Sequence, residues 1–426
     1  MFLGDGLKNL KATLLTVFIL LIPTQLGYHF WPQWSYVFGI RVDYLSPTIY
    51  LTDLLIGILA VIWIFEKKEP RRSRRLSLWL ILLGLFACIN IITSGIPEVA
   101  FFKWLKIAEL VFVAFMIFKD TTLNLYKTIV LPLSIAAVFI FCLAVVQLIL
   151  QRSLGGPMYF LGERSFYSGT PGISLYSVFG KLLLRPYSIF SHPNSLAGFS
   201  GVALMLLLGL GKELKIKRTI WVIGAAACLG ALLLSGSRAA LGGLVLSLGA
   251  LVLLKERKKL YQNFLLVAVF ITIFVGILFP VLADKTLASG IEFSERFSQR
   301  LVLGDIAGRL YSREPIKGLG LNNFIPEAAN LRANAYYPWT LQPVHNVPLL
   351  VLAETGIIGY GILIWLLIAL VKRALTMQLF FGLAIVFILV TASMDHYWFT
   401  LQQNQLLLAV FVGIVLRLYK GKYLLN

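Results

Sequence analysis

The chain is 426 residues long, 59% hydrophobic and only 13% charged, with a formal net charge of +19 and a mean hydropathy of +0.85. Soluble domains carry about a quarter charged residues, so that class is excluded. The three cysteines, Cys88, Cys142 and Cys228, all fall within apolar runs, which implies no disulfide framework.

Apolar runs of about 17 to 25 residues, long enough to cross a hydrocarbon core as helices, recur along the whole sequence. The chain therefore reads as an all-α polytopic membrane protein, a single integral membrane domain over residues 1–426. Lys8 and Lys11 precede the first run as in a signal sequence. No small-residue cleavage site follows, so the run reads as an uncleaved first span. In chain order the spans are expected at 12–27, 48–65, 77–95, 101–118, 128–149, 195–211, 219–235, 239–254, 261–282, 347–371, 377–393 and 402–416. That is twelve transmembrane helices with a long loop between the ninth and tenth. An even count puts both termini on one face. With that face cytoplasmic, the termini and the loops at 66–76, 119–127, 212–218, 255–260 and 372–376 hold 23 of the 38 Lys and Arg but 6 of the 19 acidic residues. They carry +17 of the net +19, as the positive-inside rule requires. Topology signals beside anionic membrane lipids account for the basic pI, and no nucleic acid partner is implied.

The same topology places His29, His192, His345 and His396 on the outer face, with long polar segments at about 150–194 and 283–346. The cytoplasmic loops are short and simply basic, and no Walker pattern is present. Chemistry is expected outside, without ATP, on a substrate that arrives already activated. The extracytoplasmic loop 283–346 is expected to carry part of the site.

Charged residues within spans are functional suspects. Lys106 and Glu109, a turn apart, read first as an internal ion pair, with a contact from Lys103 or Lys106 to a lipid phosphate as the alternative. Asp53, and Asp395 with His396 at the last outer turn, read as structural. In "RPYSIFSHPNSLAGF", residues 185–199, Pro186 and Pro193 restrict the backbone around Ser191 and His192, and Asn194 or Ser195 is expected to cap a helix starting near Leu196. Capping accounts for Pro193 and Asn194 and leaves Arg185 and His192 over. "LLLSGSRAALGG", residues 232–243, turns two spans through Ser235, Gly236 and Ser237, and Arg238 has no nearby acid in sequence. Arg238 either snorkels to lipid phosphate or binds an anion in an outward cavity. "SERFSQRLVLGDIAGRLYSREP" and the following "GLGLNNF", residues 318–324, read either as a solvated polar loop or as part of a site, with Arg309 and Arg313 one turn apart if helical. In "HNVPLLVLAETGIIGYG", residues 345–361, His345 and Asn346 stand ahead of a span, and Glu354 follows roughly 13 Å further along the axis, facing protein or water. Four clusters on one face point to a shared site.

These four stretches, in this order and spacing, resemble the O-antigen ligase family of membrane glycosyltransferases, related to O-antigen polymerases; the motifs cover roughly residues 180 to 361. Ser188 and Ala239 stand where that family usually has glycine. The resemblance implies a GT-C-like helical fold in the bacterial cytoplasmic membrane and transfer of a glycan from a polyprenyl (undecaprenyl) diphosphate carrier. The implied acceptor hydroxyl lies on the outer face, on a lipid, a protein, the cell wall or a growing glycan. Arg185, Arg238 and Arg309 would bind diphosphate, His345 would take the acceptor proton or donate to phosphate, and His192, Asn194, Asn346 and Glu354 would line the substrate site. No cofactor or metal is expected, and the anomeric centre is expected to invert. A polymerase using the same donor, or a lipid-glycan flippase or transporter, are the alternatives. No repeated halves are evident in the sequence, which weighs against transport.

Overall fold

The computed structural model describes residues 2–66, 74–214, 219–254, 295–331 and 340–423. The expected span at 261–282, the loop at 255–260 and parts of 66–76, 212–218 and 283–346 lie outside the described residues. The described helices are α1 (Phe2–Leu21), α2 (Leu51–Phe65), α3 (Arg74–Ile92), α4 (Pro97–Lys119), α5 (Leu131–Leu150), α6 (Pro193–Glu213), α7 (Ile220–Leu234), α8 (Arg238–Leu254), α9 (Glu295–Arg313), α10 (Phe324–Leu331), α11 (Val347–Thr376), α12 (Leu379–Ala392), α13 (Tyr397–Thr400) and α14 (Gln402–Tyr423). Among the described residues, four stretches are long and apolar enough to cross a membrane: Tyr126–Leu150, Pro193–Glu213, Val347–Ala374 and Gln402–Lys422. Shorter apolar helices accompany them, including Leu51–Phe65, Ile220–Leu234 and Leu379–Ala392. This is a helical membrane protein.

It is not purely helical. Segments between helices form three antiparallel strand pairs: β1 (Gly27–His29) with β4 (Thr48–Tyr50), β2 (Tyr36–Val37) with β3 (Ile40–Arg41), and β5 (Leu175–Val178) with β6 (Lys181–Leu184). Two of these turn through Phe-Gly pairs, Phe38-Gly39 and Phe179-Gly180, with φ of 51°, 77°, 48° and 78°. Those dihedrals belong to the tight turn that matches strand twist, which usually carries Asn-Gly. The bulky first residue hides the turn in the sequence.

The main core surrounds α6, which is buried along almost its whole length against α7 and α12. A helix apolar on every side belongs inside a bundle rather than at its edge. Gly198 lets Tyr397 lie against α6, since a Cβ there would stand 2.3 Å from that ring. A second core joins Val42 and Leu45 to Ile306 and Leu310 of α9, Phe324 of α10 and Leu349 of α11. The described part of the 283–346 segment is thus a pair of packed helices, which corrects the solvated-loop expectation.

Helix α11 breaks at Gly356, where φ is 61° and ψ is −169°. The chain before it presses on that break, and a Cβ on Gly356 would lie 2.3 Å from the Ile316 carbonyl oxygen. Glu354 stands beside it, 2% exposed; its carboxylate accepts the Phe324 N–H at 3.3 Å and its carbonyl accepts from Gly320 N and the Asn90 side chain, both at 3.0 Å. Asn323 Oδ1 accepts the Ile96 N–H at 2.7 Å, and Asn90 Oδ1 accepts from Leu321 N and Trp104 Nε1. The "GLGLNNF" segment is a brace clamped between α3, α4 and α11.

Candidate functional site

The stretch 185–194 folds around buried side chains that satisfy its own backbone. Gln147 of α5 accepts the Tyr187 and Ser188 N–H groups at 3.0 and 2.7 Å and donates to the Ser188 carbonyl at 2.9 Å. Ser188 is held at φ +52°, a conformation that favours glycine, which gives a physical reason for the residue usual at this place in the family it resembles. Helix α6 begins at Pro193, earlier than the sequence suggests, and its cap is His192, not Asn194 or Ser195. His192 Nδ1 accepts the Asn194 N–H at 3.1 Å, so Nε2 carries the proton and donates to Ser174 Oγ at 3.0 Å. Burial pushes His192 down to about 4, with Asp395 opposing and Arg185 assisting. The ring is neutral, with both nitrogens engaged.

From this cap a line of polar contacts crosses the molecule. Arg185, 9% exposed, donates from Nε to the Ser235 carbonyl and from Nη2 to Asn194 Oδ1, both at 2.7 Å. Asn194 Nδ2 donates to Asp395 Oδ2 at 2.8 Å, and Asp395 Oδ1 accepts the His396 N–H at 2.8 Å. His396 Nδ1 bonds Thr400 Oγ1 at 2.7 Å, and its ring lies 5.0 Å from that of His345 and 5.5 Å from that of Tyr44. His345 is brought here by Asn346, which caps α11 by accepting the Leu349 N–H at 2.9 Å and donates to the Ser393 carbonyl at 3.2 Å. His345 Nδ1 is buried and has no hydrogen-bond partner among the described residues. Leaving a buried nitrogen unpaired costs about 1–3 kcal/mol.

The electrostatics are those of one anion among neutral rings. Burial raises the Asp395 carboxyl, but His345, His396 and His192, with the Asn194 amide, more than offset it and hold the group below the usual carboxylate range. Burial lowers His345, opposed by Asp395 and aided by Arg300, and pushes His396 down to about 3. Arg300 of α9 is thus the arginine of that helix whose charge reaches the histidines. Arg309, nine residues on, bonds Asp305 within α9 at 2.9 Å and is mostly exposed.

Of the residues singled out in the sequence, the fold joins Arg185, Asn194, His192, His345 and Asn346 in this cluster. Arg238 opens α8 directly after the Ser235–Ser237 turn that Arg185 contacts, and its side chain is exposed. Glu354 is bound up in the α11 brace. Asp395 and His396, read from sequence as structural, lie at the centre. Their only signal was adjacency at a span end, because Asp395 meets Asn194 across 201 residues of chain. One ligating atom each from His345, Asp395 and His396 lie within 4.8 Å of one another, a spacing that a metal ion could use. Asp395 already accepts on both oxygens, however, and Arg185 and Arg300 give the place a positive field suited to an anion.

Comparison with known proteins bears on this geometry. Residues 223–364 match the family model described as O-antigen ligase (Wzy_C), a stretch that includes Arg238, Arg300, His345 and Asn346. No curated protein matches the chain. Over residues 223–364 the chain is thus similar to the O-antigen ligase family.

Proposed function

We propose that the chain is an O-antigen ligase-like glycosyltransferase that moves a glycan from a polyprenyl diphosphate carrier to an acceptor hydroxyl at the outer face of the bacterial cytoplasmic membrane. The observation that carries this reading is His345 Nδ1, without a partner among the described residues and beside Asp395, at one end of a contact line that begins at Arg185. A neutral imidazole held below its ordinary pKa is a proton acceptor at neutral pH. The acceptor oxygen bonds the anomeric carbon as the anomeric C–O bond to diphosphate breaks. The electron pair leaves with the diphosphate, and the acceptor proton passes to His345. Arg185 and Arg238, with Arg300 behind them, meet the charge on the departing diphosphate. Asp395 stabilises the imidazolium that forms, and Asn194, tied to both Arg185 and Asp395, fixes the distance between the two ends. A single displacement of this kind inverts the anomeric centre and uses no metal.

The experiment is purified protein with a polyprenyl-diphosphate glycan. Transfer to an acceptor other than the carrier identifies a ligase; longer carrier-linked chains identify a polymerase. If donor is never consumed, and cells carrying Arg185→Ala or His345→Ala assemble glycan normally, the transferase reading fails.

A further inference from the structure

Helix α6 starts under His192 and runs for 21 residues, roughly 30 Å, which is about the thickness of a hydrocarbon core. At its far end from the histidine cluster, Glu213 lines a pocket of about 640 Å³. Two more membrane-length stretches meet there: Gln402–Lys422 finishes in this pocket, and Tyr126–Leu150 begins in it. Three spans that end together set the pocket at the level of lipid headgroups, one bilayer away from the cluster.

The pocket is cationic. Its lining has Arg417, Lys420 and Lys422 against one acid, Glu213, whose carboxylate accepts from Gln378 Nε2 at 2.6 Å. Just outside, Asp120 and Glu66 share Lys11, and Lys119 lies 5.6 Å from the Phe118 ring that Lys420 also faces at 5.6 Å. The ends of α6 and α14 each add about half a negative charge, and the start of Tyr126–Leu150 about half a positive one. Among the described residues the sum stays positive. Arg417 is fixed in the wall, because Nη2 donates to the Thr121 and Leu123 carbonyls at 3.2 and 2.8 Å. Topology signals require basic residues on one face and are indifferent to their arrangement. Here the cations converge on a cleft whose other wall is apolar, with Leu123, Leu125, Leu214 and Leu418. Cations beside an apolar wall at headgroup depth match an anionic phosphodiester that carries acyl chains.

We infer that this pocket binds the headgroup of an anionic phospholipid, with Arg417 and Lys420 on the phosphate and the leucine wall along the acyl chains. The probe is phosphatidylglycerol with a diazirine in one acyl chain, photolysed with the full chain in phosphatidylcholine nanodiscs. Adducts are mapped by mass spectrometry, and diazirine phosphatidylcholine is the control. Phosphatidylglycerol is expected to label residues 121–126 and 414–422 saturably and above the control. That excess is expected to be larger than any on α1 near Lys8, a basic helix end that the Lys11–Asp120 pair puts on the same face. Lys420→Gln should lower the excess about fivefold, the worth of one cation at a membrane surface. Glu213→Gln keeps an acceptor for Gln378 and removes the opposing charge, so it should raise the excess. Millimolar inorganic phosphate should leave the label in place. Equal labelling by the two lipids, or labelling indifferent to both variants, overturns the inference. So does an equal excess on α1, which is general attraction of anionic lipid to a basic surface. Loss of the label to inorganic phosphate also overturns it, because the ligand is then a soluble phosphate. None of these readouts depends on glycan transfer.

Discussion

Two stretches crowd polar residues beside helices: 185–194, and 318–324 with Glu354. From sequence they look alike. In the second, the named amides and one carboxylate oxygen close chiefly on backbone: Asn323 on Ile96, Asn90 on Leu321 and Glu354, and Glu354 Oε1 on Phe324, while Glu354 Oε2 has no partner among the described residues. In the first, the same kind of bonding carries outward to Arg185, Asn194 and Asp395, and stops beside an imidazole nitrogen with no partner among the described residues. Polar groups spent on backbone hold a fold together. What distinguishes the first stretch is the company of its unmet atom, a buried carboxylate, a guanidinium and neutral imidazoles joined in one line.

That contrast is easiest to break at His345. His345→Ala is expected to lower donor consumption by about 10²–10⁴-fold, the usual worth of a general base, with unchanged thermal unfolding. A variant that keeps its rate removes the site from this cluster. Arg185→Ala is expected to cost about 10²-fold or more in transfer, and Arg185→Lys only part of that, because a lysine cannot reach both Ser235 and Asn194. Glu354→Gln tests the brace: it should lower stability by about 1–3 kcal/mol in thermal unfolding and leave donor affinity unchanged. If instead it alters affinity at constant stability, the second stretch belongs to the site. The smallest effect is in pH. With His345 acting as the neutral ring, as proposed, and its pKa lowered by burial, the rate should hold as pH falls through 6.5 and drop only below it. An acid limb centred above 6.5 in the rate profile would assign the proton to another group.

Much of this was legible in the sequence, for stateable reasons. Apolar run length gives helices, and polar residues out of place in a membrane protein give Arg185, His192, Asn194, His345 and Asn346. What was not legible depends on distance or on disguised local chemistry. Asp395 acquires its partners only when α6 meets the turn after α12. Arg300 and Arg309 share one helix and one residue type, and only packing separates the arginine near the histidines from the one bound to Asp305. Phe38 and Phe179 occupy turn positions where Asn is the usual signal. The amides at 402–405 open the span expected at 402–416, and the run itself does not show what they bind. Folded, Gln403 donates to the Pro23 and Ile189 carbonyls and Asn404 to the Ser195 carbonyl, tying α14 to the start of α6.

Capping has a further consequence. Helices α6 and α11 both begin inside the cluster, one under His192 and the other under Asn346, and α8 begins at Arg238 beside the turn that Arg185 contacts. Each helix presents about half a positive elementary charge at its first turn through its aligned peptide dipoles. Three such starts amount to a fixed electropositive floor that no side-chain substitution removes. An anion would still be drawn to a protein stripped of Arg185, Arg238 and Arg300 together, and its residual affinity would measure what the backbone contributes.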